Sequence, residues 1–173
     1  MKNIPKEIIT DNYKYELYIP SVIRPYKIWF QSMYLKRHIR LMIQALRGSY
    51  IFYMKDRENN VVGYIHLEKG NTRYSWTTSD DWIISPYAIA PNLRGGGVGN
   101  TLVRDFKNEI LKYLSGNIYA ETDTNNTASI KVLEKNGFNF IGYAKISGVF
   151  RKYSMSSEMS DYRVYKLDEG GRG

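Results

Sequence analysis

The run Arg94-Gly95-Gly96-Gly97-Val98-Gly99 constrains this chain more than any other stretch. Ahead of it, Trp82-Ile83-Ile84-Ser85-Pro86-Tyr87-Ala88-Ile89-Ala90 is an apolar run closed by Pro91, and it reads as a buried strand. Behind it, Val98, Leu102, Val103, Phe106, Ile110, Leu111 and Leu114 recur at helical spacing, so a helix begins at or near the glycines. Strand, glycine-rich turn and helix together make an anion-binding device. Glycine lets the backbone approach a ligand closely, and the first amides of a helix, lacking an intrahelical acceptor, point outward at it. No carboxylate lies between Asp81 and Asp105 to repel an anion there.

Devices of this kind differ in spacing. A P-loop requires G-x-x-x-x-G-K-[ST], and no Lys-Ser or Lys-Thr follows these glycines. The dinucleotide fingerprint G-x-G-x-x-G needs glycine at Asn100 when counted from Gly95, or at Leu102 when counted from Gly97. A looser Rossmann reading stays open, with Glu121 about 20 residues on as a ribose partner. The pattern [Q/R]-x-x-G-x-[G/A] is met in register by Arg94, Gly97 and Gly99. A tight strand-to-helix turn without a ligand would use the same glycines and also stays open.

The 173 residues suit one domain with a substantial core, here expected over residues 1–168, followed by a disordered tail over 169–173. No apolar run reaches the roughly 20 residues of a membrane span, and residues 1–7 lead into no signal-peptide core. The expected compartment is the cytoplasm, with no membrane partner. The absence of cysteine excludes disulfides, thiolate catalysis and a cysteine zinc site, and two isolated histidines, His38 and His66, make no metal site. The excess of 25 basic over 17 acidic residues favours anionic partners. Those charges are scattered, apart from Lys36-Arg37-His38-Ile39-Arg40, so no specific nucleic-acid partner is expected. Sixteen tyrosines suit either an aromatic-lined cleft or many half-buried strand positions.

In chain order, residues 1–20 read as a first strand and 25–46 as one long helix or two. Residues 49–55 and 61–68 form a hairpin around Asp56-Arg57-Glu58-Asn59-Asn60. On the second strand His66 alternates with Ile65 and Leu67, and is expected on the outward face with Tyr64 and Glu68. After the glycine turn and its helix, residues 117–121 are a short strand. Asp123-Thr124-Asn125-Asn126 then caps a helix over about 127–136, ended by Gly137 at C′. Residues 140–146 and 161–167 are read as a terminal strand pair around a long loop, 147–160.

The segment Asn126-Thr127-Ala128-Ser129-Ile130-Lys131-Val132-Leu133-Glu134-Lys135-Asn136-Gly137-Phe138 supplies a second motif, N-x-x-[A/S]-x-x-x-[Y/L]-E-K-x-G-F. Together with the pattern at Arg94, Gly97 and Gly99, it resembles the GNAT superfamily of acetyl-CoA-dependent N-acetyltransferases over roughly residues 49–167. The resemblance implies an α/β fold with a mixed, mostly antiparallel central sheet, a splayed strand pair and flanking helices, the acyl-CoA N-acyltransferase fold. Acetyl-CoA would be the cosubstrate, lying where the strand of residues 83–90 parts from that of residues 117–121.

The resemblance further implies that backbone groups of Ala88, Ile89 and Ala90 hold the pantetheine arm. Amides of Arg94, Gly95, Gly96, Gly97, Val98, Gly99 and Asn100 would cradle the pyrophosphate, Arg94 adding charge; Asn126 would hydrogen-bond the cofactor near its thioester end, and Ser129 would also belong to the cofactor site. Transfer to an amine would be direct, with an amide near Ile89 stabilising the oxyanion. Many members have Tyr where this chain has Leu133, and that phenol protonates the leaving thiolate. A glutamate base used by some members falls on Ile83, whereas the position used by others falls on Glu121. Glu121 is therefore the candidate base, with a salt-bridged strand end as the alternative; Tyr87, Asp81 and Tyr143 are weaker candidates. The leading acceptor is a nucleotide-linked amino sugar or another small amine. A protein N-terminus and a non-catalytic acyl-CoA-binding module of the same fold are the alternatives. Either a monomer or a homodimer is compatible.

Overall fold

The computed structural model describes residues 4–18, 43, 48–72, 74–147 and 152–168. Among these residues nine strands form one sheet: β1 (Glu7–Ile9), β2 (Lys14–Leu17), β3 (Tyr50–Lys55), β4 (Val61–Lys69), β5 (Trp82–Ile89), β6 (Ile118–Asp123), β7 (Phe138–Ser147), β8 (Lys152–Ser156) and β9 (Tyr162–Leu167). Their order across the sheet is β1-β2-β3-β4-β5-β6-β9-β7-β8. Every neighbouring pair is antiparallel except β5 with β6. Among the described residues two helices pack on the sheet. α1 (Val98–Asp105) continues through a wider turn at Phe106–Ile110 and a tighter one at Leu111–Tyr113, and α2 spans Thr127–Lys135.

The helical spacing read after the glycines has its physical origin in the main core. Leu102, Val103, Phe106 and Ile110 are buried against Phe52, Ile65, Leu67, Ile84 and Leu133. Each such side chain taken fully out of water contributes roughly 1.5–3 kcal/mol. The opposite sheet face is filled, among the described residues, by Tyr18, Ile51, Tyr53 and Tyr64 and by Tyr74, Ile83, Tyr119, Ala144 and Val164. Central strands are thus covered on both sides, and their alternation no longer separates inside from outside. His66 is accordingly 0% exposed, not outward as its alternation suggested.

Three other readings are corrected. Residues 1–20 hold a hairpin rather than one strand, because the Thr10–Tyr13 turn folds β2 back on β1, with the Thr10 amide donating to the Tyr13 carbonyl. This hairpin is tied to α1 by a buried carboxylate: Tyr15 Oη donates to Asp105 Oδ2 at 2.9 Å, and Arg104 Nη2 donates to Oδ1 at 2.9 Å. The expected loop after β7 contains β8, whose residues 152–156 pair with Tyr143–Ser147. β9 inserts between β6 and β7, so the strands thought to close on each other also serve the centre of the sheet. The helical region expected over 25–46, with Trp29, Tyr34, the 36–40 cluster and His38, lies outside the described residues except for Ile43, as does the 169–173 tail.

The parallel junction of β5 and β6 is closed firmly at one end only. Trp82 pairs with Ile118, Ile83 with Tyr119 and Ile84 with Ala120, and there the ladder stops although both strands run on. At the closed end the Trp82 amide donates to the Asn117 carbonyl at 2.8 Å. Gly116, at φ +80°, lies so tightly against the preceding turn that a Cβ would sit 2.1 Å from the Asp80 carbonyl oxygen. Asp81 locks this contact: its carboxylate accepts from the Thr78 amide and hydroxyl at 2.8 and 3.1 Å, and from the Asn117 amide and side-chain Nδ2 at 2.8 and 3.0 Å.

Burial alone would raise the Asp81 pKa, but these four hydrogen bonds outweigh it and hold the carboxyl below the ordinary Asp range. Its contribution to stability is therefore complete above the unfolded value of about pH 4 and is lost as pH falls through the lower native value. Asp81→Ala is expected to cost about 2 kcal/mol or more at neutral pH. The variant should also lose part of the wild type's decline in stability below about pH 4. Chemical denaturation across that acid range measures both.

Candidate active site

The open end of the junction is made by β5 itself. Between the pairs Ile65–Tyr87 and Leu67–Ile84, the single residue His66 faces two residues, Ser85 and Pro86. Proline has no amide to give the ladder, and the extra residue bends the strand. Beyond this bulge β5 stays with β4 and leaves β6. The Ala90 amide donates to the Val62 carbonyl at 2.9 Å, so the amides of Ala90 and Ala88 face β4. By alternation those of Ile89 and Tyr87 face the gap.

The glycine turn follows. Gly95 and Gly97 both hold positive φ, +83° and +81°, and no heavy atom stands within 4 Å of a Cβ at either position. What demands glycine there is backbone conformation rather than crowding. Gly97 is the N-cap of α1 and has no side chain with which to cap it. The amides of Val98, Gly99 and Asn100 therefore open the helix without an intrahelical acceptor, at its electropositive end. Arg94 folds over the turn, its Nε donating to the Ile89 carbonyl at 3.2 Å.

The second helix meets the first across this opening. Asn126 is its N-cap, with Oδ1 accepting from the Ser129 amide at 3.1 Å. At the far end Gly137, at φ +84°, takes the C′ position and Phe138 is buried beneath it. Asn136 Nδ2 donates to Asn100 Oδ1 at 3.0 Å and to the Val132 carbonyl at 2.8 Å, tying α2 to α1. Leu133 is 0% exposed and belongs to the core.

A groove of about 590 Å³ runs between these parts, lined by Tyr87, Ala88, Ile89, Arg94, Gly95, Gly97, Gly99, Asn100, Asn126, Ala128, Ser129 and Val132. Most of the cofactor residues expected from the sequence are thereby brought together. Ala90, Gly96 and Val98 are not in the lining; Ala90 spends its amide on Val62 and its carbonyl on the Leu93 amide at 2.9 Å. Tyr87, Ala128 and Val132 are additions. Tyr87 was passed over as a ligand-wall residue because a strand tyrosine carries no motif; its place beside the Pro86 bulge is the signal that could have found it.

On the other sheet face Glu121 is the first residue of β6 past the last parallel pair and is half-buried. The fully buried Tyr74 hydroxyl donates to its Oε2. Tyr74 in turn stacks on Trp76 at 4.3 Å between ring centroids and meets Tyr153 edge-on at 5.8 Å. His66 Nδ1 lies 3.6 Å from Glu68 Oε1 on the same face, both side chains buried. Sequence reading missed Tyr74, which sits in an irregular segment where no periodicity reports on facing. The remaining candidates stand apart: Asp81 is consumed in the junction, and Tyr143 is on β7 opposite Arg163 of β9.

Residues 15–138, more than half of the chain, match the model of the acetyltransferase (GNAT) family. The chain belongs to the GNAT family of acetyltransferases. Its cosubstrate is therefore acetyl-CoA, and the groove suits that molecule: an uncapped helix N-terminus for its phosphates and an unpaired strand edge for its pantetheine amides.

Solved structures share the GNAT fold. A GNAT family acetyltransferase from Elizabethkingia anophelis, solved with acetyl-CoA bound, aligns with a TM-score of 0.61 at 16% identity over 92% of this chain and 99% of that one. A spermidine N-acetyltransferase from Vibrio cholerae in complex with CoA and spermine gives 0.57 at 18%, covering 83% and 82%. A ribosomal-protein-alanine N-acetyltransferase from Brucella melitensis gives 0.55 at 25%, covering 76% and 75%. No protein in the curated comparison matches this GNAT chain. Among the described residues no helix is long and apolar enough to cross a membrane.

Gly99 separates the fold from the ligand. A Cβ there would lie 3.7 Å from Ile89 Cγ1, an ordinary contact, while a longer side chain would extend into the groove. Gly99→Leu is expected to leave unfolding stability within about 1 kcal/mol, since leucine favours helix over glycine by about that amount. It should abolish the thermal stabilisation given by acetyl-CoA, which in the wild type reaches about 2.7 kcal/mol at a hundredfold excess over Kd. Melting curves with and without the ligand read both effects.

Proposed function

We propose that this GNAT acetyltransferase transfers the acetyl group of acetyl-CoA directly to the amine of a small molecule. The observation that carries this reading is the uncapped first turn of α1 opening on a groove that leads along β5 to the gap beside β6. Phosphates held at the helix terminus would direct the pantetheine arm along Tyr87 and Ile89, whose amides face the gap. Those amides suit the negative charge that develops on the acetyl oxygen. The chain has no cysteine to carry an acetyl group in transit, consistent with direct attack by the amine.

A small amine is largely protonated near neutral pH and must lose a proton before its nitrogen can form the new C–N bond. In this reading Glu121, half-buried at the start of the gap and oriented by Tyr74, takes that proton directly or through a water. Trp76 and Tyr153, partly exposed beside it, offer aromatic faces that suit a sugar or base, and the net charge of +8 suits a phosphorylated acceptor. A nucleotide-linked amino sugar combines these features. The neighbours named for spermidine and for a ribosomal protein mark polyamines and protein N-termini as the comparators to include.

An acceptor screen with acetyl-CoA, read by mass gain and by release of free CoA thiol, tests the reading; thiol release with none of the amines would overturn it. Glu121→Gln is expected to keep acetyl-CoA affinity while kcat/KM falls by about 10²-fold or more. The deficit should shrink as pH rises and free amine becomes abundant. Wild-type rates across the whole pH range would leave Glu121 as a structural partner of Tyr74.

A further inference from the structure

We propose that Tyr87 supplies the proton taken up by the departing sulfur, doing from β5 the work that Leu133 on α2 has no group to do. The inference rests on the acetyl-transfer reading above and adds to it the acid of the reaction. Three observations converge on this residue. Tyr87 is the first residue of β5 past the bulge, so its backbone borders the gap and its side chain lies in the groove wall. Its hydroxyl reaches across to the first turn of α2, 3.4 Å from the Ser129 carbonyl. Ser129 lies in the first turn of α2, next to the N-cap Asn126, so the phenol spans the groove from β5 to the end of α2 that borders it.

Elimination among the groove's own residues points the same way. Among the described side chains lining it, only Tyr87 and Arg94 are ionisable, and the Arg94 guanidinium is engaged with the Ile89 carbonyl. The hydroxyl of Ser129 is too weak an acid, and Asn100 and Asn126 are amides. The contact of the Tyr87 hydroxyl with Ser129 is long for an O–H···O bond, so the proton is lightly held and free to turn to a better acceptor. Burial raises the phenol above its ordinary pKa, with the Ser129 contact acting in the opposite sense, so the group stays protonated through neutral pH.

The step balances. The nitrogen lone pair of the acceptor forms a bond to the acetyl carbon, the C–S bond breaks, and sulfur leaves with the electron pair. Tyr87 Oη gives its proton to that sulfur and is left as phenolate. The proton released by the acceptor amine, passed through water, restores the phenol, so no further reagent is consumed.

Tyr87→Phe keeps the ring and removes the proton. Acetyl-CoA affinity, measured by calorimetry, should stay within about twofold, while kcat falls by about 10²-fold. A readout independent of turnover is the thiol of bound CoA, followed by thiolate absorbance. A phenol donating to the thiolate lowers its pKa, so in Tyr87→Phe the bound thiol should titrate about one unit higher than in the wild type. Difluorotyrosine at position 87, a more acidic phenol of similar size, should move the alkaline fall of kcat to lower pH.

An unshifted bound-thiol titration together with an unshifted alkaline limb would overturn the proposal. Loss of acetyl-CoA binding in Tyr87→Phe would equally overturn it, by making the residue a wall of the groove. Failure of the wild type itself to bind CoA would instead defeat the acetyl-transfer reading, and the acid with it.

Discussion

The structure depends on a parallel pairing that is begun and then abandoned. β5 and β6 share only the register from Trp82–Ile118 to Ile84–Ala120. One end is held by the buried Asp81 carboxylate and by the close approach that Gly116 permits; the other is released by the bulge at Ser85 and Pro86. A parallel pair normally continues until a strand ends, because unpaired amides inside a sheet are costly. Stopping it midway leaves a row of backbone donors and acceptors facing a gap, and a ligand with amides of its own can satisfy them. The uncapped N-terminus of α1 opens onto the groove that borders this gap.

Much of this was legible because it rests on local backbone rules. Positive φ at Gly95, Gly97 and Gly137, a cap at Asn126 and a helical stripe from Val98 to Ile110 are met by few residue types, so they leave marks in the sequence. The failures are non-local. Nothing near residues 152–156 indicates that they pair with β7, and the insertion of β9 between β6 and β7 is a property of the assembled sheet. His66 was misplaced because period-two alternation separates two faces without saying whether both are covered. Tyr74 reaches Glu121 over a sequence separation of 47 residues, from a segment without periodicity.

The polar residues of the second motif have duties within the fold that explain their chemistry. Asn126 uses Oδ1 to cap α2 while its side chain also lines the groove. Asn100 accepts from Asn136, whose own amide also donates along α2, so these two asparagines fix the spacing of the helices on either side of the groove. The Glu134 carboxylate accepts from the Tyr165 hydroxyl at 3.4 Å, anchoring α2 to β9. A motif that looks like a ligand signature is thus largely a signature of how the ligand's walls are held apart.

That distinction bears on how widely the fold is shared at low identity. Backbone amides at a helix terminus and at an unpaired strand edge recognise phosphate and pantetheine whatever the side chains are, provided that a few glycines and caps set the geometry. Neighbours at 16% to 25% identity therefore keep the architecture, and one retains acetyl-CoA in its structure. The opposite face has no such economy. There Tyr74, Trp76, Tyr153, His66, Glu68 and Glu121 are brought together by side-chain contacts that depend on the assembled sheet. The groove is written largely in backbone geometry and the opposite face in side chains, which is why the first can be read from a short motif and the second only from the assembled sheet.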